Sequence, residues 1–134
     1  DIVRDAAIEV YGRQPVRIRH MGTYNCRRIR GWPTFISEHA LGNGIDIEGF
    51  DFAPARAGQS RKLPAALRRG FQVRVLKHWN AKSDKDKLND AFLHLVIDRL
   101  TDREHVFRTM LGPAYPGHKN HFHFDCSPWR MIEI

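Results

Sequence analysis

Residues 118–123 read HKNHFH, three histidines inside six positions. Side chains alternate faces along a strand. If 120–126 is extended, His121, His123 and Asp125 form a polar row on one face, and Phe122, Phe124 and Cys126 form the other. Two histidines on one strand face do not make a metal site, so further ligands are needed. They stand in SEHALGNGID, residues 37–46, where His39 and Asp46 are seven positions apart. Gly42 and Gly44 argue against a helix there. A reversal centred on Gly42-Asn43, a hairpin pair, sets His39 opposite Asp46 with Cβ atoms about 5 Å apart. His39, Asp46 and one histidine of HFH then make a two-histidine, one-carboxylate set. Three protein ligands with a fourth position left to water is the pattern of catalytic zinc. Zinc brings the pKa of water to about 7 and polarises carbonyl oxygens, which makes peptide or ester hydrolysis accessible. His118 and His121 lie beside this set. Spare imidazoles there serve as proton acceptor and as partner of the oxyanion. No HExxH helix occurs.

The elements that must position these residues follow from pattern. IVRDAAIEVY, 2–11, reads as a helix with Ile2, Val3, Ala6 and Val10 on one face and Gly12 as its stop. Residues 15–24 alternate as a half-buried strand, with Val16 and Ile18 turned one way and Arg17 and Arg19 the other. RGWPT, 30–34, breaks the chain. Residues 51–70, rich in Ala, Arg, Gly and Pro, read as a surface excursion with a short helix at 64–69. FQVRVLK, 71–77, reads as a strand. SDKD, 83–86, starts a helix with Ser83 as N-cap; it runs to about 99, with Leu88, Ala91, Phe92, Leu95, Val96 and Arg99 on its apolar stripe. His94 lies off that stripe and is expected in solvent. Strands at 105–111 and 120–126 follow, separated by the turn GPAYPG. The expected fold is α+β: an antiparallel sheet with helices on one face and the zinc groove on the other.

Length and charge set the frame. The chain has 134 residues, which fits one domain over 1–134 and one core. No apolar stretch reaches the roughly 18 residues of a membrane span. It does not begin with Met, and the expectation is a processed or trimmed piece of a longer protein, in which a removed export signal would leave no trace. The 22 Lys and Arg outweigh 15 acids, for a net charge of +7. Such a surface attracts polyanions, and both nucleic acid and a carboxylate-rich cell wall qualify. The two cysteines, Cys26 and Cys126, allow one bridge or two free thiols. Strand alternation favours the bridge, because it turns Cys126 away from His123 and into the core. A bridge would place the chain outside the reducing cytosol.

At the two histidine blocks the chain resembles a known group. SEHALGNGID is similar to the Ser-x-His-x-x-Gly-x-Ala-x-Asp signature of D-Ala-D-Ala metallopeptidases, with Gly44 where Ala is usual. HFH resembles the His-x-His motif of the same superfamily, which includes lysostaphin-type enzymes and the hedgehog domain. The His118, His121, His123 spacing is similar to penicillin-insensitive murein endopeptidases. Taken together, YNCRRIRG, SEHALGNGIDIEGF and MLGPAYPGHKNHFHFD resemble the bacterial extensin-like C-terminal domain family, across most of residues 10–126. The resemblance implies a hedgehog-like or D-Ala-D-Ala-peptidase-like fold and Zn2+ held by His39, Asp46 and His123. It implies that His121 and His118 assist catalysis. The implied substrate is a peptidoglycan peptide, in the periplasm or at the cell wall; endopeptidase action is favoured over carboxypeptidase action, and both stay open.

Other residues extend that reading. Ser37 is expected to contact substrate, and Arg27, in the basic run Arg27, Arg28 and Arg30, to meet a peptide carboxylate. Tyr115 is expected to line the groove. Trp32 and Trp79 are expected in the core or the groove wall, and His20, His78 and His105 have no partner pattern. The expected partner is a peptidoglycan peptide, with no nucleic acid and no membrane span, and the expected state is a monomer. Two alternatives stand beside the peptidase: a non-catalytic, zinc-stabilised wall-binding domain, and a basic nucleic-acid module or His-metal nuclease.

Overall fold

The computed structural model describes residues 1–58 and 63–134. Within them the chain is α+β, built on a mostly antiparallel sheet. Helix α1 (Ile2–Tyr11) ends at Gly12, whose left-handed backbone lets its N–H close onto Ile8. Strand β1 (Arg17–Gly22) forms one sheet edge. Strands β2 (Arg28–Ile29) and β3 (Trp32–Ile36) form a separate two-stranded hairpin, turning where only a break in the chain is expected. A 3-10 turn (Glu38–Leu41) leads into β4 (Gly44–Phe52), the strand around which the sheet is organised. A short helix α2 (Ala65–Arg68) lies in the expected excursion, of which residues 59–62 fall outside the described residues. Then come β5 (Phe71–Arg74), α3 (Val75–His78), α4 (Lys87–Thr101), β6 (Thr109–Leu111), β7 (Phe122–Asp125) and β8 (Met131–Glu133).

One edge of β4 pairs with β1 along its length. The other edge is shared, with β7 along Gly44–Ile47 and β5 along Gly49–Phe52. The sheet continues from β7 through β6 to β8, which runs parallel to β6. Gly49 sits where β4 bulges and β5 comes close. A Cβ at this position would lie 2.1 Å from the Val73 carbonyl oxygen, so no other residue fits without moving backbone.

Alternation on β4 and β7 divides the sheet into two faces. Ile47, Phe50, Phe52, Phe122 and Phe124 face a core closed by α1 and α4. Tyr11 stands at its centre between Phe52, Phe71 and Phe92, with its hydroxyl donating to Asn89 Oδ1 at 2.9 Å. The other face carries Asp46, His123 and Asp125.

Several expectations need correction. Val16 and Ile18 are exposed, because β1 is an edge strand that the helices do not cover. The strand expected at 71–77 stops at Arg74. There the His78 ring accepts the Arg74 amide at 2.8 Å and draws the chain into α3. The strand expected at 105–111 is confined to Thr109–Leu111, since backbone turns close after α4 at Arg103 and Val106. Helix α4 buries Asn89, Phe92, Leu93, Val96, Ile97 and Leu100, a stripe rotated by about one residue from the expected one. His94 is not idle in solvent: it stacks on Trp79 with ring centroids 3.9 Å apart. Cys26 and Cys126 are free and exposed, so the expected bridge is absent. Cys26 follows Asn25, whose amide holds the His39 carbonyl on the polar side of the sheet. Cys126, just past β7, directs its thiol to the Val106 carbonyl, beside the core.

Candidate metal centre

His39 comes from the 3-10 turn, not from the hairpin expected there. Ser37 is extended, Glu38–Leu41 coils, and Gly42 closes the turn in the left-handed conformation, with its N–H directed at Glu38 and His39 carbonyls. This compact turn drops His39 onto the first residues of β4. His39 and Asp46 therefore meet as the spacing suggested, through different local structure. His123 pairs directly with Asp46 across the β4–β7 ladder.

Three ligand atoms converge. His39 Nε2 lies 3.1 Å from Asp46 Oδ1 and 3.0 Å from His123 Nδ1, and His123 Nδ1 lies 2.9 Å from the same Asp46 oxygen. Ligand atoms about 2.1 Å from a tetrahedral ion would be roughly 3.4 Å apart, so small outward shifts would seat zinc. The far nitrogen of each ring is committed. His39 Nδ1 faces the Thr23 carbonyl at 3.1 Å, which only accepts, so that nitrogen carries the proton. His123 Nε2 donates to Asp125 Oδ2 at 2.8 Å. With both rings neutral, this arrangement would aim two lone pairs and a carboxylate oxygen at one point, a set that could hold a metal ion. The residues present fit zinc.

The electrostatics favour positive charge at this cluster. Burial opposes ionisation of Asp46, but its hydrogen bond to His123 and the neighbouring histidines outweigh burial and hold it below the usual carboxylate range. Burial works against positive charge on His123, yet its hydrogen bonds to Asp125 and Asp46 prevail and push it up to about 9. His121 moves the other way: burial lowers it, more than the nearby Asp46 raises it. His118 is likewise lowered by burial.

The remaining expected residues surround the cluster. His121 Nε2 stands 3.6 Å from Asp46 Oδ1, and its Nδ1 lies 3.0 Å from Asn120 Oδ1. An amide oxygen only accepts, so Nδ1 holds the proton and Nε2 faces the cluster as a base. The His118 ring lies 4.8 Å from that of His121 and 5.9 Å from that of His123. Asp46, His118, His121 and His123 line a groove of about 1090 Å3 that Ser37, Arg27 and Tyr115 also line; buried His39 is not among its lining residues. Gly44 is packed against the centre: a Cβ there would lie 3.2 Å from His123 Cε1 and 3.4 Å from His39 Cε1. The alanine usual in the resembling signature would press on both rings.

Sequence reasoning placed Asp125 in the polar row and gave it no task. Besides His123, its carboxylate accepts the Ser127 amide at 3.0 Å, and the buried Ser127 hydroxyl lies 2.6 Å from Thr109 Oγ1. Nothing in the sequence marked the Thr23 carbonyl or the groove-lining Phe35 and Trp129.

Residues 1–63 match a protein family described as Extensin-like protein C-terminus. The matched span contains His39 and Asp46 and ends before the last three histidines. No curated protein and no solved structure matches the chain.

Proposed function

We propose that the chain is a zinc-dependent peptidase acting on peptidoglycan cross-links or stem peptides, an extensin-like domain of the D-Ala-D-Ala metallopeptidase and hedgehog superfamily. One observation carries this reading: side-chain atoms of His39, Asp46 and His123 converge within 3.1 Å of one another beside a groove that two further histidines line. His39, Asp46 and His123 would hold the ion. Zinc supplies a Lewis acid, which makes water acidic near neutral pH and a carbonyl electrophilic.

The chain's own groups do the rest. His121 is neutral at pH 7 and presents Nε2 to the site, so it takes the proton of the attacking water and returns it to the leaving amine. Water oxygen joins the carbonyl carbon and the carbon–nitrogen bond breaks. His118 Nδ1 faces the Pro116 carbonyl at 3.2 Å and carries its proton, so this ring would donate to the developing oxyanion only once Nε2 is protonated. Arg27 and Ser37 orient the peptide along the groove. The net positive charge draws the domain to an anionic wall, in the periplasm or outside the cell.

Cross-linked peptidoglycan incubated with the protein as isolated, chelator-treated and zinc-restored tests the reading, with released muropeptides identified by mass spectrometry. Cross-linked dimers should disappear only with zinc present, and His121→Ala should abolish the loss while keeping zinc. Zinc bound at unit stoichiometry with muropeptides unchanged would instead favour a wall-binding domain. No zinc uptake would sink the metal centre.

A further inference from the structure

The wall of the groove differs in kind from its floor. Trp32, Phe35 and Trp129 all line it, and they are 62%, 45% and 48% exposed. Phe35 links the two indoles, with ring centroids 6.0 Å from Trp32 and 6.3 Å from Trp129. Every residue of β3 is exposed, and none of the three rings belongs to the core. Anchoring the hairpin accounts for their edge contacts, but not for aromatic faces left open to water. Contiguous exposed apolar surface of this kind marks a binding site. Arg27, Arg28 and Arg30 line the same groove and pair with no carboxylate among the described residues. Arg28 instead donates to the Pro33 and Thr34 carbonyls, bracing the hairpin.

Flat aromatic faces bordered by guanidinium groups suit a flat, amphipathic ring that travels with negative charge. A pyranose of an N-acylated aminosugar fits: its C–H face is apolar, its rim is hydroxyls and amide, and lactyl and peptide carboxylates hang from its chain. The wall is also continuous with the metal centre, so a glycan lying along it would deliver its attached peptide to the histidines. We propose that Trp32, Phe35 and Trp129 form a sugar-stacking subsite for the glycan strand of a peptide-bearing, carboxylate-rich polysaccharide, with Arg27 and Arg30 meeting its carboxylates. This rests on the peptidoglycan reading of the groove and adds that the glycan, not the peptide alone, is recognised.

The probes are peptide-free glycan strands of N-acetylated sugars, titrated by calorimetry and by tryptophan fluorescence. The parent protein should bind them with a blue-shifted emission. Trp32→Ala and Trp129→Ala should each weaken binding roughly tenfold, as loss of a central aromatic contact does, while circular dichroism and zinc uptake stay at parent values. Should either variant fold poorly, saturation-transfer NMR on the parent decides, because indole protons of Trp32 must then lie among those touching the sugar. Parent-like binding by both variants would overturn the proposal, as would absence of glycan binding at millimolar concentration. Tighter binding of a single-stranded oligonucleotide of equal length would overturn it too. Glycan binding without peptide cleavage would leave this subsite standing and remove the peptidase, and cleavage without glycan binding would do the reverse.

Discussion

Asp125→Asn separates shape from charge behind His123. The wild-type carboxylate accepts twice, from His123 Nε2 at 2.8 Å and from the Ser127 amide at 3.0 Å. An asparagine has the same outline but one acceptor. If its oxygen stays on Ser127, its NH2 faces His123 Nε2, which must then become the acceptor, and the ring proton moves to Nδ1, the atom aimed at Asp46. If its oxygen stays on His123, its NH2 collides with the Ser127 N–H. The first outcome removes a metal lone pair, and the second leaves a buried donor unpaired. Loss of such a partner costs 10- to 100-fold in metal affinity, or about 1.4–2.7 kcal/mol. Zinc competition against a chelating dye at pH 7.5 should show that loss, and nitrogen-detected NMR of the His123 ring, recorded above its raised value of about 9 where the ring is neutral, should show its tautomer change. Asp125→Asn binding zinc within twofold of the parent, with His123 Nδ1 still unprotonated, would refute the tautomer lock.

Gly49→Ala should cost about 3 kcal/mol or more in urea unfolding, because its Cβ would overlap the Val73 carbonyl and force β4 and β5 apart; a cost under 0.5 kcal/mol would contradict the close approach. Asp51 is held below the usual carboxylate range: burial opposes this, but hydrogen bonds from Arg74 and Arg19 prevail. Its stabilisation is therefore full above the unfolded pKa of about 3.9 and lost as pH falls through the lower folded value, so Asp51→Asn should destabilise at pH 7 and converge with the parent in acid melts. Both cysteines should react with a thiol reagent in the native protein without prior reduction, since Cys26 and Cys126 are exposed and unbridged.

What the sequence disclosed of the fold was whatever local periodicity decides. Helix α1 emerged with its bounds, and α4 with its start shifted by a few residues, because 3.6-residue spacing and a capping glycine are local signals. The central strand β4 went unassigned, although IDIEGFDF alternates. Its alternation slips at the Gly49 bulge, so Ile45 and Ile47 share a face with Phe50 and Phe52 rather than with Gly49 and Asp51. Strand β8 and the β2–β3 hairpin are two to five residues long and mostly exposed, so no hydrophobic period distinguishes them from loop.

The candidate site was more legible than the fold that builds it, and His39 shows why. A hairpin and a 3-10 turn both bring residues 39 and 46 together, since two glycines within six residues leave a short chain few ways to go except back on itself. The juxtaposition is a property of spacing and survives an error in local structure. The cysteine expectation had no such protection. It depended on two segments a hundred residues apart meeting in space, which no local pattern decides. The tautomers escaped for a related reason. They are set by a backbone carbonyl at Thr23 and by a carboxylate two positions after His123, and a carbonyl has no residue type to read. Asp125 did have one, and its place in the polar row of β7 was visible. Its task was not, because a strand pattern says which face a side chain takes and not that the neighbouring imidazole needs an acceptor behind it.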